Sequence, residues 1–345
     1  METIGTVRDE RSGCRTTLPA KPVYAALDLG TNNCRLLVAR PAGGGFRVID
    51  AFSRIVRLGE GVSATGSLSD AAVDRTLQAL KVCAVKMRRR NVARWRAVAT
   101  EACRRANNFD TFRDRVRDET ALELEVISSR EEARLSMTGC APLLDPEIPH
   151  ALVFDIGGGS TELVWLRSDA RRPSVIDVIS LPVGVVNLAE RHGGDCVSPE
   201  CYELMIDQVA RALQDFDRRH GIRAAIARGD VQMLGSSGTV TTLAGVFKDL
   251  PRYDRSAVDG SFLDFEQAIG VSRSLLAMDF AARAAHPCIG RERADLVVAG
   301  CAVLEAICQV WPVGRLRIAD RGVREGILTE LMDTAAHPLR TNAAH

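Results

Sequence analysis

Two stretches of this chain end a short apolar strand on an aspartate and follow it with glycine. Tyr24 to Val38 reads YAALDLGTNNCRLLV, and Ala151 to Trp165 reads ALVFDIGGGSTELVW. Aligning Asp28 with Asp155 also aligns Gly30 with Gly157, Asn32 with Gly159, Asn33 with Ser160 and Leu36 with Leu163. The offset of 127 residues (155 − 28) is too long for a solenoid repeat and is about one small domain. A two-residue hairpin has no need of Gly157, Gly158 and Gly159 in a row. Successive glycines let backbone N–H groups come close to an anion. Ser160 and Thr161 add hydroxyl donors, and Asp155 suits a hard cation. Phosphate plus magnesium uses all of these at once. Either stretch alone reads as a glycine-rich hairpin, but the matched pair reads as a duplicated fold with two phosphate loops facing across a cleft.

The bulk numbers narrow the field. A chain of 345 residues suits two domains, and 46% hydrophobic with 26% charged residues is the balance of a soluble globular protein. A formal net charge of +1 gives no overall field toward nucleic acid or membrane, so neither is expected as a partner. The N-terminal METIGTVRDERSG lacks the apolar core of a signal peptide. Ala294 to Trp311 is interrupted by Asp295 and Glu305 and reads as a core helix, not a membrane span. Ten cysteines without a CxxC pair fit reduced thiols in a cytoplasm. His192, Cys196 and Cys201 lie close together, but their spacing matches no usual zinc motif, so they read as loop and helix-start residues.

Residues 1–21 are polar and aperiodic and read as a loose extension. Strands are expected at Val23–Leu27, Cys34–Ala39 and Phe46–Leu58, with Gly43-Gly44-Gly45 as a hairpin turn. Ser69 caps a helix whose inner face is Val73, Leu77, Leu80, Ala84 and Met87. Its basic end, Lys86 to Arg90, is explained more simply by the helix C-terminus than by a polyanion site. A strand at Trp95–Ala99 leads to Arg104 and Arg105, just past a strand end, where open α/β sheets hold ligands. A phosphate grip and surface salt bridging are equally good readings there.

Glu123–Ile127 is a strand, and Ser128-Ser129-Arg130-Glu131-Glu132 then opens a helix. Its capping box can be drawn from Ser128 to Glu131 or from Ser129 to Glu132. One glutamate can cap while the other takes a proton from water; as first-turn acids, both also suit the helix dipole. Further on come a strand at Val175–Leu181 and a helix from Ser198-Pro199. Val231–Leu234 then runs into Gly235-Ser236-Ser237-Gly238-Thr239, a turn able to seat a phosphate or to cap a helix. Two long helices, roughly Phe265–Ala285 and Arg291–Trp311, precede a strand at Leu316–Ala319 and a final helix. Strands followed by helices, twice over, make an α/β protein of two similar halves.

LDLGTNNCRLLV, VATEACRRANN, SSREEARL, VFDIGGGSTELV, SLPVGVVNLAE, GSSGTVTTLAG, ERADLVVAG and ADRGVREGIL together resemble the exopolyphosphatase and guanosine pentaphosphate phosphohydrolase family. The resemblance runs from about Tyr24 to about Leu328. It implies two ribonuclease H-like (actin-like ATPase) domains with an interdomain cleft. The first would span 22–130, with helix 321–333 returning to it, the second 131–320, and 334–345 would be a disordered tail. It also implies magnesium-assisted hydrolysis of a terminal phosphate from polyphosphate or guanosine pentaphosphate, with polyphosphate or guanosine penta- or tetraphosphate as the bound partner, and a homodimer. The family's catalytic glutamate carries over to Glu132, beside Glu131, and its phosphate-binding arginine to Arg104. Asp155, Gly157, Ser160 and Glu162 match the second phosphate loop and metal region, and Asp28, Gly30, Asn32 and Arg35 match the first. Thr31, Asn33, Gly158, Gly159, Thr161, Gly235, Gly238 and Thr239 complete the expected phosphate-binding set, and Asp28 joins Asp155 and Glu162 as an expected metal ligand.

There are departures. Asn33 and Cys34 stand where many members have Ser and Val, and Ser129 where glycine is common. The extra helical portion of longer members has no room here, which lowers the expectation for very long polyphosphate. No GxxxxGK[ST] pattern occurs, which argues against a P-loop NTPase. The competing readings are a kinase or NTPase of the same fold, and an inactive nucleotide- or alarmone-binding regulator.

Overall fold

The computed structural model describes residues 21–168 and 173–336. Apart from Lys21, the expected N-terminal extension lies outside these residues, as does the expected tail beyond Ala336.

The apolar runs before the two aspartates become central strands. β1 (Tyr24–Leu29) and β6 (His150–Ile156) are buried along most of their length, as strands covered on both faces must be. Each opens an antiparallel meander. β1 pairs with β2 (Asn33–Ala42), which pairs with β3 (Gly45–Ile55). β6 pairs with β7 (Thr161–Arg167), which pairs with β8 (Ser174–Leu181). Gly43 and Gly44, at φ of 52° and 80°, turn β2 into β3.

Parallel strands extend each sheet on the other side. β4 (Arg94–Ala99) and β5 (Glu125–Val126) give the order β3-β2-β1-β4-β5. β9 (Val231–Ser236) and β11 (Arg315–Ala319) give β8-β7-β6-β9-β11, with a short β10 (Phe262–Asp264) added at the edge. The two orders correspond strand for strand. This is the ribonuclease H-like arrangement, present twice.

Strand register exposes a difference between the halves. Asp28 faces Arg35 across β1 and β2, whereas Asp155 faces Glu162 across β6 and β7. One slot of the repeated unit therefore carries a cation in one half and a carboxylate in the other.

Two helices are exchanged between the halves. The Ser129–Cys140 helix follows β5 but packs Ala133, Met137 and Cys140 on Ala151, Val153 and Val164 of the second sheet. The Val323–Ala336 helix follows β11 but packs Val323, Ile327 and Leu328 on Tyr24, Ala26 and Leu37 of the first. Each buried leucine or isoleucine contributes about 1.5–3 kcal/mol. Glycine sets how closely these helices cross. A Cβ on Gly139 would lie 2.1 Å from the Gly322 carbonyl oxygen, and one on Gly326 would lie 2.1 Å from that of Leu135. The last helix runs to Ala336, so residues 334–336 are helical and not tail.

Other boundaries differ from the sequence reading for local reasons. The helix expected over Phe265–Ala285 breaks at Met278, which is extended; Asp279 then caps a new helix, Phe280–Ala285, by accepting from the Ala282 N–H at 2.7 Å. The helix expected over Arg291–Trp311 starts only at Val297. β3 stops at Ile55, because the N–H groups of Val56 and Arg57 donate to the Asn32 carbonyl and leave the ladder. The freed segment then reaches the other half. Arg57 clasps both oxygens of Asp295 at 2.9 and 3.0 Å, and the Gly61 N–H donates to Glu190 Oε1 at 2.9 Å.

Candidate active site

The two glycine turns sit at the ends of β1 and β6 and touch. A Cβ on Gly158 would lie 2.9 Å from the Thr31 Cβ, and one on Gly184 would lie 2.5 Å from the Gly158 carbonyl carbon. Gly157, Gly158 and Gly159 all avoid the left-handed region. What demands glycine here is close approach, of the Ser160 carbonyl at Gly157 and of the Thr31 and Glu101 side chains at Gly158 and Gly159.

Between the turns lies a narrow chamber of about 120 Å³. Its floor is acidic, with Asp28, Glu101, Glu132, Asp155 and Glu162. Gly30, Thr31, Asn32 and Asn33 form one wall, Gly157 to Ser160 the facing one, and Gly238 and Thr239 a third side. A second chamber of about 600 Å³ opens beside it and shares Asp28, Asp155, Arg35 and Arg293 with it. This one is cationic, for Arg255, Arg321 and Arg324 join Arg35 and Arg293 in its lining. Arg255 pairs with Glu325 and Arg321 with Asp259. Burial, with Arg35's charge added, pulls Arg293 and Arg324 below the ordinary arginine value.

Helix geometry adds further positive charge. Val185, Gly238, Val297 and Val323 are the first residues of four helices, and all four line the narrow chamber. A helix N-terminus carries roughly half a positive charge. The acidic floor is thus ringed by helix starts and arginines, an arrangement for a polyanion together with a cation. Ser237, which lines both chambers, is held at φ 130° and caps the Gly238–Phe247 helix by accepting from the Val240 N–H at 3.3 Å. A non-glycine residue in that region costs on the order of 1–3 kcal/mol.

Burial raises the proton affinity of the floor. It pushes Asp155 up to about 6, with Arg35 opposing and Asp28 adding to the rise. It pushes Glu162 up to about 7, although the Ser160 and Ser180 hydroxyls donate to its Oε1 at 2.7 and 2.9 Å. Asp28 is raised by burial against the opposing charge of Arg35. Glu132 lies well above the ordinary carboxylate range, first through burial and then through the charge of Glu162.

Glu132 is firmly held. Its Oε2 accepts from Arg104 Nη1 at 2.8 Å. The same Nη1 donates to the Ile127 carbonyl at 2.9 Å, while Nε and Nη2 donate to Glu101 Oε2 at 3.1 and 2.9 Å. Arg104, expected on the phosphate, is engaged by two glutamates and lines neither chamber.

Three more expected site residues lie elsewhere. The Ser128 hydroxyl accepts from the Glu131 N–H, which selects the first way of drawing the cap. The Glu131 carboxylate accepts from Arg96 and Arg134 outside the chamber. The Thr161 hydroxyl donates to the Val183 carbonyl inside the sheet. Gly235 is within β9, where a Cβ would lie 2.6 Å from the Phe154 ring.

Glu101, Ser237, Arg293 and Arg324 were not singled out from the sequence. All four lie in stretches that carried the family resemblance, but none of the four was itself given a role there. Glu101 had a usable signal, since it directly follows the strand end that drew attention to Arg104. His192 Nδ1 and Cys201 Sγ are 3.3 Å apart, but no three His, Cys, Asp or Glu side chains among the described residues are grouped to hold a metal ion on their own. The nine cysteines among the described residues are free. No helix among these residues is long and apolar enough to cross a membrane.

Residues 37–335 match the Ppx/GppA phosphatase family. Exopolyphosphatase 2 of Mycobacterium tuberculosis is 31% identical over 320 residues, which cover 89% of this chain and 98% of the relative. The crystal structure of the Aquifex aeolicus Ppx/GppA family member is 30% identical with a TM-score of 0.75, covering 92% of this chain and 99% of that one. An exopolyphosphatase from Cytophaga hutchinsonii, 24% identical, shares the fold with a TM-score of 0.81 over 90% of this chain and 98% of its own.

Proposed function

The chain belongs to the Ppx/GppA phosphatase family, and from that premise we propose that it releases orthophosphate from the ends of inorganic polyphosphate, with guanosine pentaphosphate as a second substrate bearing the same terminal anhydride. The observation that carries this reading is the setting of Glu132. Its Oε2 is fixed by Arg104, its Oε1 has no hydrogen-bond partner among the described residues, and it faces a narrow chamber continuous with a wide cationic one.

A water seated against Oε1 gives its proton to the carboxylate as its oxygen attacks the terminal phosphorus. The bridging P–O bond breaks in line, and the shortened chain leaves with the bridging oxygen. The raised proton affinity of Glu132 makes it a stronger base than an ordinary carboxylate. Backbone N–H groups of the two turns, the helix starts and Arg35 hold the phosphate oxygens in place, and Arg293 and Arg324 hold the rest of the chain.

The acidic floor fits magnesium. Carboxylates gathered in one buried place, each raised by burial, are a donor set that a hard cation relieves. Asp155 and Glu162, helped by Asp28, would hold it. Magnesium usually takes only one or two carboxylates from a protein, so a donor set this small would suit it. When bound, it supplies neutralisation of phosphate charge.

The test is orthophosphate release with magnesium from short-chain polyphosphate, long-chain polyphosphate and guanosine pentaphosphate. Glu132→Gln should lower release by about 10²–10⁴-fold while polyphosphate still binds. Near-normal turnover in that variant would remove Glu132 as the base. Failure of the wild-type protein on all three substrates would refute the proposal.

A further inference from the structure

Arg104 divides its guanidinium unequally. Both Nε and Nη2 go to one oxygen of Glu101, at 3.1 and 2.9 Å, and only Nη1 reaches Glu132, at 2.8 Å. Left to itself, an arginine beside a single carboxylate takes it in two parallel hydrogen bonds. Such a fork would stabilise the ionised carboxylate and weaken it as a proton acceptor. Glu101 occupies the rest of the guanidinium, so Glu132 is steadied by one hydrogen bond and its Oε1 stays free.

The side chains of Glu101, Arg104 and Glu132 are all about 15% exposed, so water does little to loosen the arrangement. Glu101 is also fixed from the opposite half. A Cβ on Gly159 would lie 3.0 Å from the Glu101 Cγ, which places its stem directly against the second glycine turn. A longer residue at 159 would push Glu101 aside, and with it the grip on Arg104.

From this geometry we propose that Glu101 is a positioning residue for the hydrolysis. It sets how Arg104 presents Glu132 to the attacking water, and it ties that alignment to the seating of the second glycine turn. The inference rests on Glu132 being the base. Arg104 then acts on the base through the two glutamates.

The experiment compares wild type, Glu101→Ala, Glu101→Gln and Arg104→Ala on short-chain polyphosphate with magnesium. Misplacing a group that orients a reacting residue costs about 10–100-fold in activity. Both Glu101 variants should lose kcat by about that factor with KM changed less than about twofold. Formate added to Glu101→Ala should recover part of the lost kcat by taking the vacated place beside Arg104, and it should do nothing for Glu132→Gln. Arg104→Ala should likewise reduce kcat more than it raises KM. Wild-type kcat in both Glu101 variants would overturn the proposal, as would a loss confined to KM. Inactive wild-type protein would instead strike at the hydrolase reading itself, so the two failures are distinguishable. Melting curves of each variant separate lost alignment from lost folding.

Discussion

Replacing Glu162 with glutamine should stabilise the cation-free protein at pH 8 and leave it nearly unchanged at pH 4. Glu162 is 3% exposed, and burial with the charge of Asp155 pushes its carboxyl from 4.5 to about 7. A raised value means that the folded protein binds the proton more tightly than the unfolded chain does. The associated stability is whole below the unfolded value of 4.5, is lost progressively as pH rises from there, and is gone once pH has passed about 7. At about 1.4 kcal/mol per tenfold, that loss is about 3 kcal/mol. Glu132 shares the repulsion and the two titrate together, so about 2–3 kcal/mol is what glutamine should recover.

Glutamine also keeps the oxygen on which the Ser160 and Ser180 hydroxyls converge, so no hydrogen bond need be lost. With an unfolding entropy of about 2 cal/mol/K per residue, the gain corresponds to a Tm rise of roughly 3–4 °C. Thermal unfolding in chelator at pH 4, 5, 6, 7 and 8 should show wild type and variant nearly together at pH 4, diverging progressively from about pH 5, with the gap complete above about pH 7. Magnesium should close the gap by stabilising the wild type. Equal melting at pH 8, or a less stable variant there, would refute the claim that the ionised floor is a strained one.

Three further outcomes follow from the fold. Gly326→Ala drives a Cβ into the Leu135 carbonyl and should cost at least about 1–3 kcal/mol in chemical denaturation, whereas Gly270→Ala, on an exposed helical site with open space, should gain about 1 kcal/mol; equal effects would contradict the close helix crossing. A double-mutant cycle of Arg57→Ala and Asp295→Asn should give a coupling of about 0.5–1 kcal/mol, and zero coupling would mean that the clasp does not hold in solution. Arg324→Met should raise KM for long-chain polyphosphate roughly tenfold and raise the Tm of the ligand-free protein, because it removes a half-buried cation that desolvation and Arg35 disfavour; an unchanged KM would exclude the wide chamber from binding the chain.

The duplication was legible because the same residue types recur at the same spacing around Asp28 and Asp155, and a buried strand ending on an acid is a local signal. The free glutamate was half legible. Sequence offered two caps, and only the Ser128 hydroxyl on the Glu131 N–H decides that Glu132 is the one facing the chamber. What stayed hidden depends on partners far away along the chain. Arg104 reads as a phosphate grip until Glu132, on another element, takes its Nη1. Gly235 reads as part of a phosphate turn until Phe154 closes over it. The convergence of four helix starts has no sequence signature at all, since Val185, Val297 and Val323 look like ordinary core valines. The break at Met278 escaped because Asp279 is as ordinary on a helix surface as it is effective as a cap.

The reciprocal helices make the halves inseparable. Cutting the chain after the first sheet would leave Tyr24, Ala26 and Leu37 bare, because the cover they need is made some three hundred residues later. Cutting before the second sheet would strip Val153 and Val164 in the same way. Each half is therefore a lodger under a roof the other supplies, and the protein should melt in a single step where two independent lobes would melt in two. The same bond between lobes means that any rocking of one against the other must pivot where Gly139, Gly322 and Gly326 let the two backbones touch, on the same helix that carries Glu132.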